Sequence, residues 1–233
     1  MKFPEYLHSF VEDKNDLVQV TETIYGLLSR IEEQKKDADG KKMTLLIIGG
    51  LSGAGKDTIT QALIDRDNRF GWVRTCTTRD RRPNETEEND TYVRLTEEAF
   101  QKALAGGDVV EWVEYAGDHY CSLTSVFEKA FETYEIPILR IEPKGSRFYS
   151  EMWRKQEWMF DKINLIYVFV VPPTIEILQK RLLDRSGDPK FVDKRIAQTE
   201  IDIPFVCDAE YIAINETGEL DWVVDDLIKL LSP

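Results

Sequence analysis

The sequence predicts an α/β fold in which helices flank a central parallel sheet, with a subdomain inserted into it and an extra helix at the N-terminus. Three observations predict it. From residue 43 onward strand-like apolar runs alternate with helical patterns, the first run (LLIIGG) meets a glycine-rich loop that ends in lysine, and residues 77–120 interrupt the alternation. A chain of 233 residues suits one such domain over 41–233 with an extension over 1–40.

Each element has its own signal. Between Asn15, a suitable N-cap, and Gln34, the residues Leu17, Val20, Ile24, Leu27, Leu28 and Ile31 keep the spacing of an amphipathic helix, and KKDADGKK (35–42) reads as a polar linker. That helix must bury its stripe on the rest of the chain or on a second copy, so homo-oligomer formation through it is one expected arrangement. Strands are expected at 44–48, 72–75, 136–141, 165–171 and 211–214, with helices at 56–67, 122–133, 145–158, 174–184, 192–202 and 220–231. The inserted stretch holds a polar loop, a short helix at 96–105 and the run 109–115.

The bulk properties exclude several classes. A net charge of −13 opposes a nucleic-acid partner, whose surface demands excess lysine and arginine. The longest apolar run, 165–171, is far too short for a bilayer, and MKFPEYLHSFVEDK lacks the basic start and apolar stretch of a secretory signal, so neither membrane nor export is expected. Three cysteines without C-x-x-C pairing fit reduced thiols and a cytoplasmic location, and two histidines make a histidine metal site a poor expectation. An anionic ligand then needs a local basic cluster, which RTCTTRDRR supplies with Arg74, Arg79, Arg81 and Arg82.

Residues 50–57, GLSGAGKD, satisfy the first seven places of G-x-x-x-x-G-K-[ST], with Gly50, Gly55 and Lys56 at the fixed ones. Such a loop aims backbone N–H groups at phosphate oxygens, its lysine reaches the outer phosphates, and the following helix adds its N-terminal positive end. Gly50, Ser52, Gly53, Ala54, Gly55, Lys56, Asp57 and Thr58 are therefore expected to bind a nucleoside triphosphate. Asp57 holds the place of the hydroxyl that usually meets magnesium, so the metal contact is expected at Thr58 or through Asp57 and water.

The segment TCTTRDRRPNETEENDTY followed by VVEWVEYAGDHYCSL resembles the guanylate kinases, which carry T-T-R-x-x-R-x-x-E and then E-W-x-x-x-x-G-x-x-Y-G-[ST]. IYVFVVPPTIEILQKRLLDR is similar to the P-P-x-x-x-x-L-x-x-R-L-x-x-R of that family, and the likeness runs over about 43–232. The resemblance implies a P-loop kinase fold with an NMP-binding insertion at about 75–122 and a lid at about 185–195, using ATP and Mg²⁺ to phosphorylate GMP or dGMP. It places Arg79, Arg82 and Tyr120 on the substrate phosphate and Thr75, Tyr92, Glu111, Ser122 and Glu142 among the other substrate contacts. Glu111 matters most for choice of base, since a carboxylate can accept both N1–H and N2–H₂ of guanine. Arg181, Arg185 and Arg195 are the expected catalytic arginines beside Lys56.

The chain departs from the family pattern at Asp57, at Cys121 in place of glycine, at Tyr92 by one place, and in ILRIEPKG, where Arg140 and Glu142 replace two aspartates. Two alternatives follow: a ribose 1,5-bisphosphate phosphokinase, whose loop also reads G-K-D, and a non-catalytic module that uses the same cleft to bind a partner. Glu111 favours the nucleotide and Lys56 favours catalysis.

Overall fold

The computed structural model describes residues 43–81, 85–87, 90–115, 117–155 and 163–231. The N-terminal extension and Arg82 lie outside them. In chain order the elements are β1 (Met43–Gly50), α1 (Lys56–Arg66), β2 (Phe70–Val73), β3 (Cys76–Thr77), β4 (Val93–Arg94), α2 (Glu97–Ala105), β5 (Val109–Tyr115), β6 (Asp118–Leu123) and α3 (Thr124–Thr133). They continue with β7 (Ile136–Arg140), α4 (Pro143–Arg154), β8 (Ile163–Val171), α5 (Ile175–Ser186), α6 (Pro189–Asp202), a 3₁₀ segment (Ile203–Asp208), β9 (Tyr211–Ile214) and α7 (Leu220–Leu230). The described residues divide into two compact units, 43–67 with 140–231, and 68–139.

In the first unit β8 pairs in parallel with β1, from Met43↔Ile163 to Gly50↔Val170, and with β9, from Val168↔Tyr211 to Val171↔Ile214. A strand paired on both sides and covered on both faces carries a near-continuous apolar run, and Tyr167 to Val171 are fully buried. Leu45 to Ile48 are equally buried, so each contributes about 1.5–3 kcal/mol of burial. Thr174 caps α5 by accepting from Ile177 N at 3.2 Å.

One acid is built into this core. Glu210 donates its backbone N–H to Tyr167 O at 2.9 Å, while its Oε2 accepts from Tyr167 N at 2.7 Å. Burial pushes its carboxyl up to about 7. The folded chain therefore holds a proton between about pH 4.5 and 7 that the unfolded chain has released, and stability falls as pH rises through that window. At about 1.4 kcal/mol per pH unit of displacement, Glu210→Gln is expected to stabilise the protein at pH 8 by on the order of 3 kcal/mol. Urea melts across pH would show it as a flatter profile. Burial also raises Asp202, which contributes a slope of the same sign with or without the substitution.

The second unit holds a parallel pair, β2 with β7, and a four-stranded sheet in the order β4-β3-β6-β5, antiparallel except between β3 and β4. Cys76, Phe100, Cys121 and Leu123 form its core, with Val93, Leu95, Ala103, Val109 and Val126 packed on them. Two of the three cysteines, far apart in sequence, meet here: Cys76 stands directly opposite Cys121, and both thiols are free and buried. Thr96 caps α2 by accepting from Ala99 N at 3.1 Å.

The element order follows the sequence reading, with shifted ends. The strand expected at 72–75 runs Phe70–Val73, leaving Thr75 in the connection to β3. The helix expected from 122 starts at Thr124, because Ser122 and Leu123 complete β6. The two-residue strands β3 and β4 carry too few residues for a period to be read. Among the described residues no helix is long and apolar enough to cross a membrane.

Candidate active site

The loop after β1 turns on three glycines with positive φ: Gly50 at 129°, Gly53 at 87° and Gly55 at 98°. Lys56 opens α1 with Gly55 as its cap. Its ammonium donates to Gly50 O at 2.8 Å and Leu51 O at 3.2 Å, so the lysine folds back across the loop. Glu142 Oε2 lies 3.8 Å away. Burial, which disfavours the charged form, lowers the Lys56 pKa, and the nearby Glu142 carboxylate partly opposes that shift.

Asp57 and Thr58 are exposed on the first turn of α1, while Ala54 is fully buried and Ser52 half-buried. Asp57 is engaged by Arg140, whose Nε lies 2.9 Å from Oδ1. The backbone places that arginine: Ile141, its neighbour, donates N–H to Ile48 O at 3.2 Å, which brings Arg140 and Glu142 beside the end of β1.

Arg181, expected beside Lys56, reaches the glycine-rich loop itself. Its guanidinium donates to Ala54 O at 3.4 Å, Asn215 O at 2.9 Å and Thr217 Oγ1 at 3.2 Å, and burial lowers its pKa. Asn215, which the sequence reading missed, donates Nδ2–H to Ala54 O at 2.7 Å from just beyond β9. A lone asparagine after an apolar run gives no signal for such a role. Together the two residues brace the glycine-rich loop from behind.

Arg185 and Arg195 sit over the same ring, 5.6 and 5.2 Å from the centroid of Phe191. Residues 185–195 form a helical corner: α5 ends at Ser186, Gly187 takes φ 64°, and Asp188 caps α6 by accepting from Lys190 N at 3.0 Å.

In the second unit, Glu111 owes its direction to an irregularity. Val109 pairs with Leu123 but Glu111 pairs with Ser122, so β5 spends one extra residue there as a β-bulge. Unbroken register would set Glu111 opposite Cys121, on the core face; the bulge moves it to the other face. There Ser122 Oγ donates to Glu111 Oε1 at 2.8 Å. Tyr120 and Thr77, paired across β6 and β3, share this face, while Trp112 and Cys121 share the opposite one. Tyr92 meets Tyr120 edge to face at 5.9 Å.

The basic cluster is held by acids. Arg79 Nη2 donates to both oxygens of Glu85, at 2.8 and 2.9 Å. Arg94, which the sequence reading also missed, bridges Glu85 at 2.9 Å and Asp90 at 2.7 Å, and Arg81 Nε reaches Asp90 at 2.9 Å. The Arg94 guanidinium in particular holds the Asp90 carboxyl far below the usual carboxylate range. Thr75 accepts no partner by side chain among these bonds, but its carbonyl takes Val93 N–H at 2.9 Å and so ties β4 to β3.

The family model described as guanylate kinase matches residues 42–232. The chain is similar to a guanylate kinase of Synechocystis sp., 29% identical over 196 residues that cover 84% of this chain and 96% of that one. It is similar also to one of Chelativorans sp., 30% identical over 177 residues covering 76% and 77% of the two chains. A solved guanylate kinase structure from Anaplasma phagocytophilum shares the fold, with a TM-score of 0.53 at 19% identity, covering 81% of this chain and 84% of that one.

Proposed function

The chain belongs to the guanylate kinase family, and we propose that it transfers the γ-phosphoryl group of ATP to GMP or dGMP in the cytoplasm. The unit with the glycine-rich loop takes the donor, and the unit with Glu111 takes the acceptor. The observation that carries the reading is the aim of Glu111: a bulge turns its carboxylate off the core face, and Ser122 Oγ orients it through Oε1. A carboxylate so held can accept N1–H and N2–H₂ of guanine, a donor pair adenine lacks.

Backbone amides from Gly50 to Gly55 receive the triphosphate at the N-terminus of α1, and Lys56 leaves the carbonyls of Gly50 and Leu51 for the outer phosphates. Arg185 and Arg195 neutralise charge on the moving phosphoryl, and Arg181 with Asn215 keeps the loop in shape. Arg79, Arg82 and Tyr120 receive the GMP phosphate, with Arg79 exchanging Glu85 for it. Thr75 and Tyr92 complete the acceptor contacts, and Glu142 joins them or holds a metal-bound water.

Magnesium fits the donor side. Among the described residues no three His, Cys, Asp or Glu side chains cluster to cage an ion, but Mg²⁺ keeps most of its waters and needs only one or two protein oxygens. Asp57 and Thr58 offer exposed ones on the first turn of α1. When bound there with ATP, the ion spreads the charge of the β- and γ-phosphates.

The presence of Asp57 in the loop favours the sugar-phosphate kinase as the second reading. ATP consumption measured against GMP, dGMP, AMP, CMP, UMP and ribose 1,5-bisphosphate decides. Turnover with the guanine nucleotides is expected; turnover with only the sugar bisphosphate overturns the reading, and no turnover with any of them leaves the non-catalytic module.

A further inference from the structure

We propose that Arg140 is a donor-site residue that contacts the triphosphate, and that Asp57 is the counter-ion on which its guanidinium rests while the loop is empty. The inference rests on ATP being the donor. It starts from an electrostatic conflict. The first turn of α1 presents the positive helix end that suits a phosphate, yet Asp57 places a carboxylate there. Its side chain is 70% exposed, so nothing in the fold requires the charge.

Arg140 resolves the conflict. Its guanidinium approaches Asp57 at 2.9 Å while its own side chain is only 14% exposed. Asp57 thus faces Arg140 while Glu142 faces Lys56, with Asp202 and Arg195 acting on the same cluster. The Asp57 contact is held by charge and not by a directed bond: Nε is buried, and its approach to Oδ1 falls outside hydrogen-bond alignment. An ion pair with a water-exposed partner is worth little, whereas guanidinium on phosphate is charge-assisted and geometrically matched. An arriving triphosphate therefore outcompetes Asp57 for the guanidinium. Removing Arg140 would leave the acid facing the phosphates with its nearest guanidinium gone.

The test is calorimetric titration of ATP into the full chain, first in EDTA and then with Mg²⁺, with GMP titrated separately. Arg140→Ala is expected to weaken metal-free ATP binding by at least about tenfold and to leave GMP affinity within about twofold of the unaltered chain. Arg140→Lys, which keeps the charge and loses the fork, should retain part of that affinity. Asp57→Ser should tighten metal-free ATP binding, because the guanidinium stays and the opposing carboxylate goes. Should the alanine variant fail to fold, as judged by its melting curve, Arg140→Gln is read in its place. Metal-free ATP affinity in the arginine variants equal to that of the unaltered chain overturns the inference, as does weaker binding in Asp57→Ser. If the unaltered chain binds no ATP under either condition, the donor reading itself falls and the inference with it.

Discussion

Replacing Lys56 by alanine abolishes phosphoryl transfer, with kcat falling by at least about a hundredfold to a thousandfold, the range found when one preorganised donor to a transition state is lost. The ammonium rests on Gly50 O and Leu51 O, and burial lowers its pKa. The fold survives but is softened. Lys56 Nζ also satisfies Gly50 O and Leu51 O, so the variant gives up two bonds of about 0.5–1.5 kcal/mol each and melts somewhat lower. Steady-state kinetics with ATP and GMP, beside GMP titration, separate the two effects. GMP affinity should be unchanged, and wild-type turnover in the variant would remove the loop from catalysis.

Glu111→Gln carries the second large effect, and it falls on a single substrate. Ser122 Oγ donates to Oε1, so in the variant the amide oxygen keeps that serine and turns its N–H₂ toward the base. Of two charge-assisted bonds worth about 1.5–3 kcal/mol each, one becomes a neutral bond to the amide oxygen and the other a donor facing a donor. A loss of at least about tenfold in kcat/KM for GMP is expected, which corresponds to about 1.4 kcal/mol, with ATP affinity unchanged. Unaltered GMP kinetics would take guanine recognition away from β5 and shift the balance to the sugar-phosphate kinase.

What the sequence discloses and what it hides divide along physical lines. The phosphate loop, α1 and the buried strands were legible because each writes its geometry into local spacing: glycines at fixed offsets, a lysine at the helix start, an apolar run long enough for β8. The direction of Glu111 was not. A bulge is a mismatch between two strands, and neither strand alone records it. The cysteine pair is similar, since 76 and 121 become neighbours only when β3 meets β6. Arg94 and Asn215 were missed because their partners, Glu85, Asp90 and Ala54, are set by turns whose course no period predicts. Arg140 and Asp57 were each visible as a departure from the family pattern; only the fold joins them in one ion pair.

Gly50 closes β1 with φ 129°, and a methyl group there would lie 2.2 Å from Val170 O, inside the backbone of β8. At Gly53 the added carbon would first meet the side chains of Leu182 and Leu178, at 2.9 and 3.1 Å, and its φ of 87° still strains any larger residue. The loop is therefore poor ground for saturation mutagenesis scored by cell growth. Intolerance at Gly50 would record a strand that cannot seat, not a phosphate left unbound, and the two would look alike in the count. An engineer wanting a folded trap that holds both nucleotides without transferring the phosphoryl group would leave the glycines untouched and work from the arginines over Phe191.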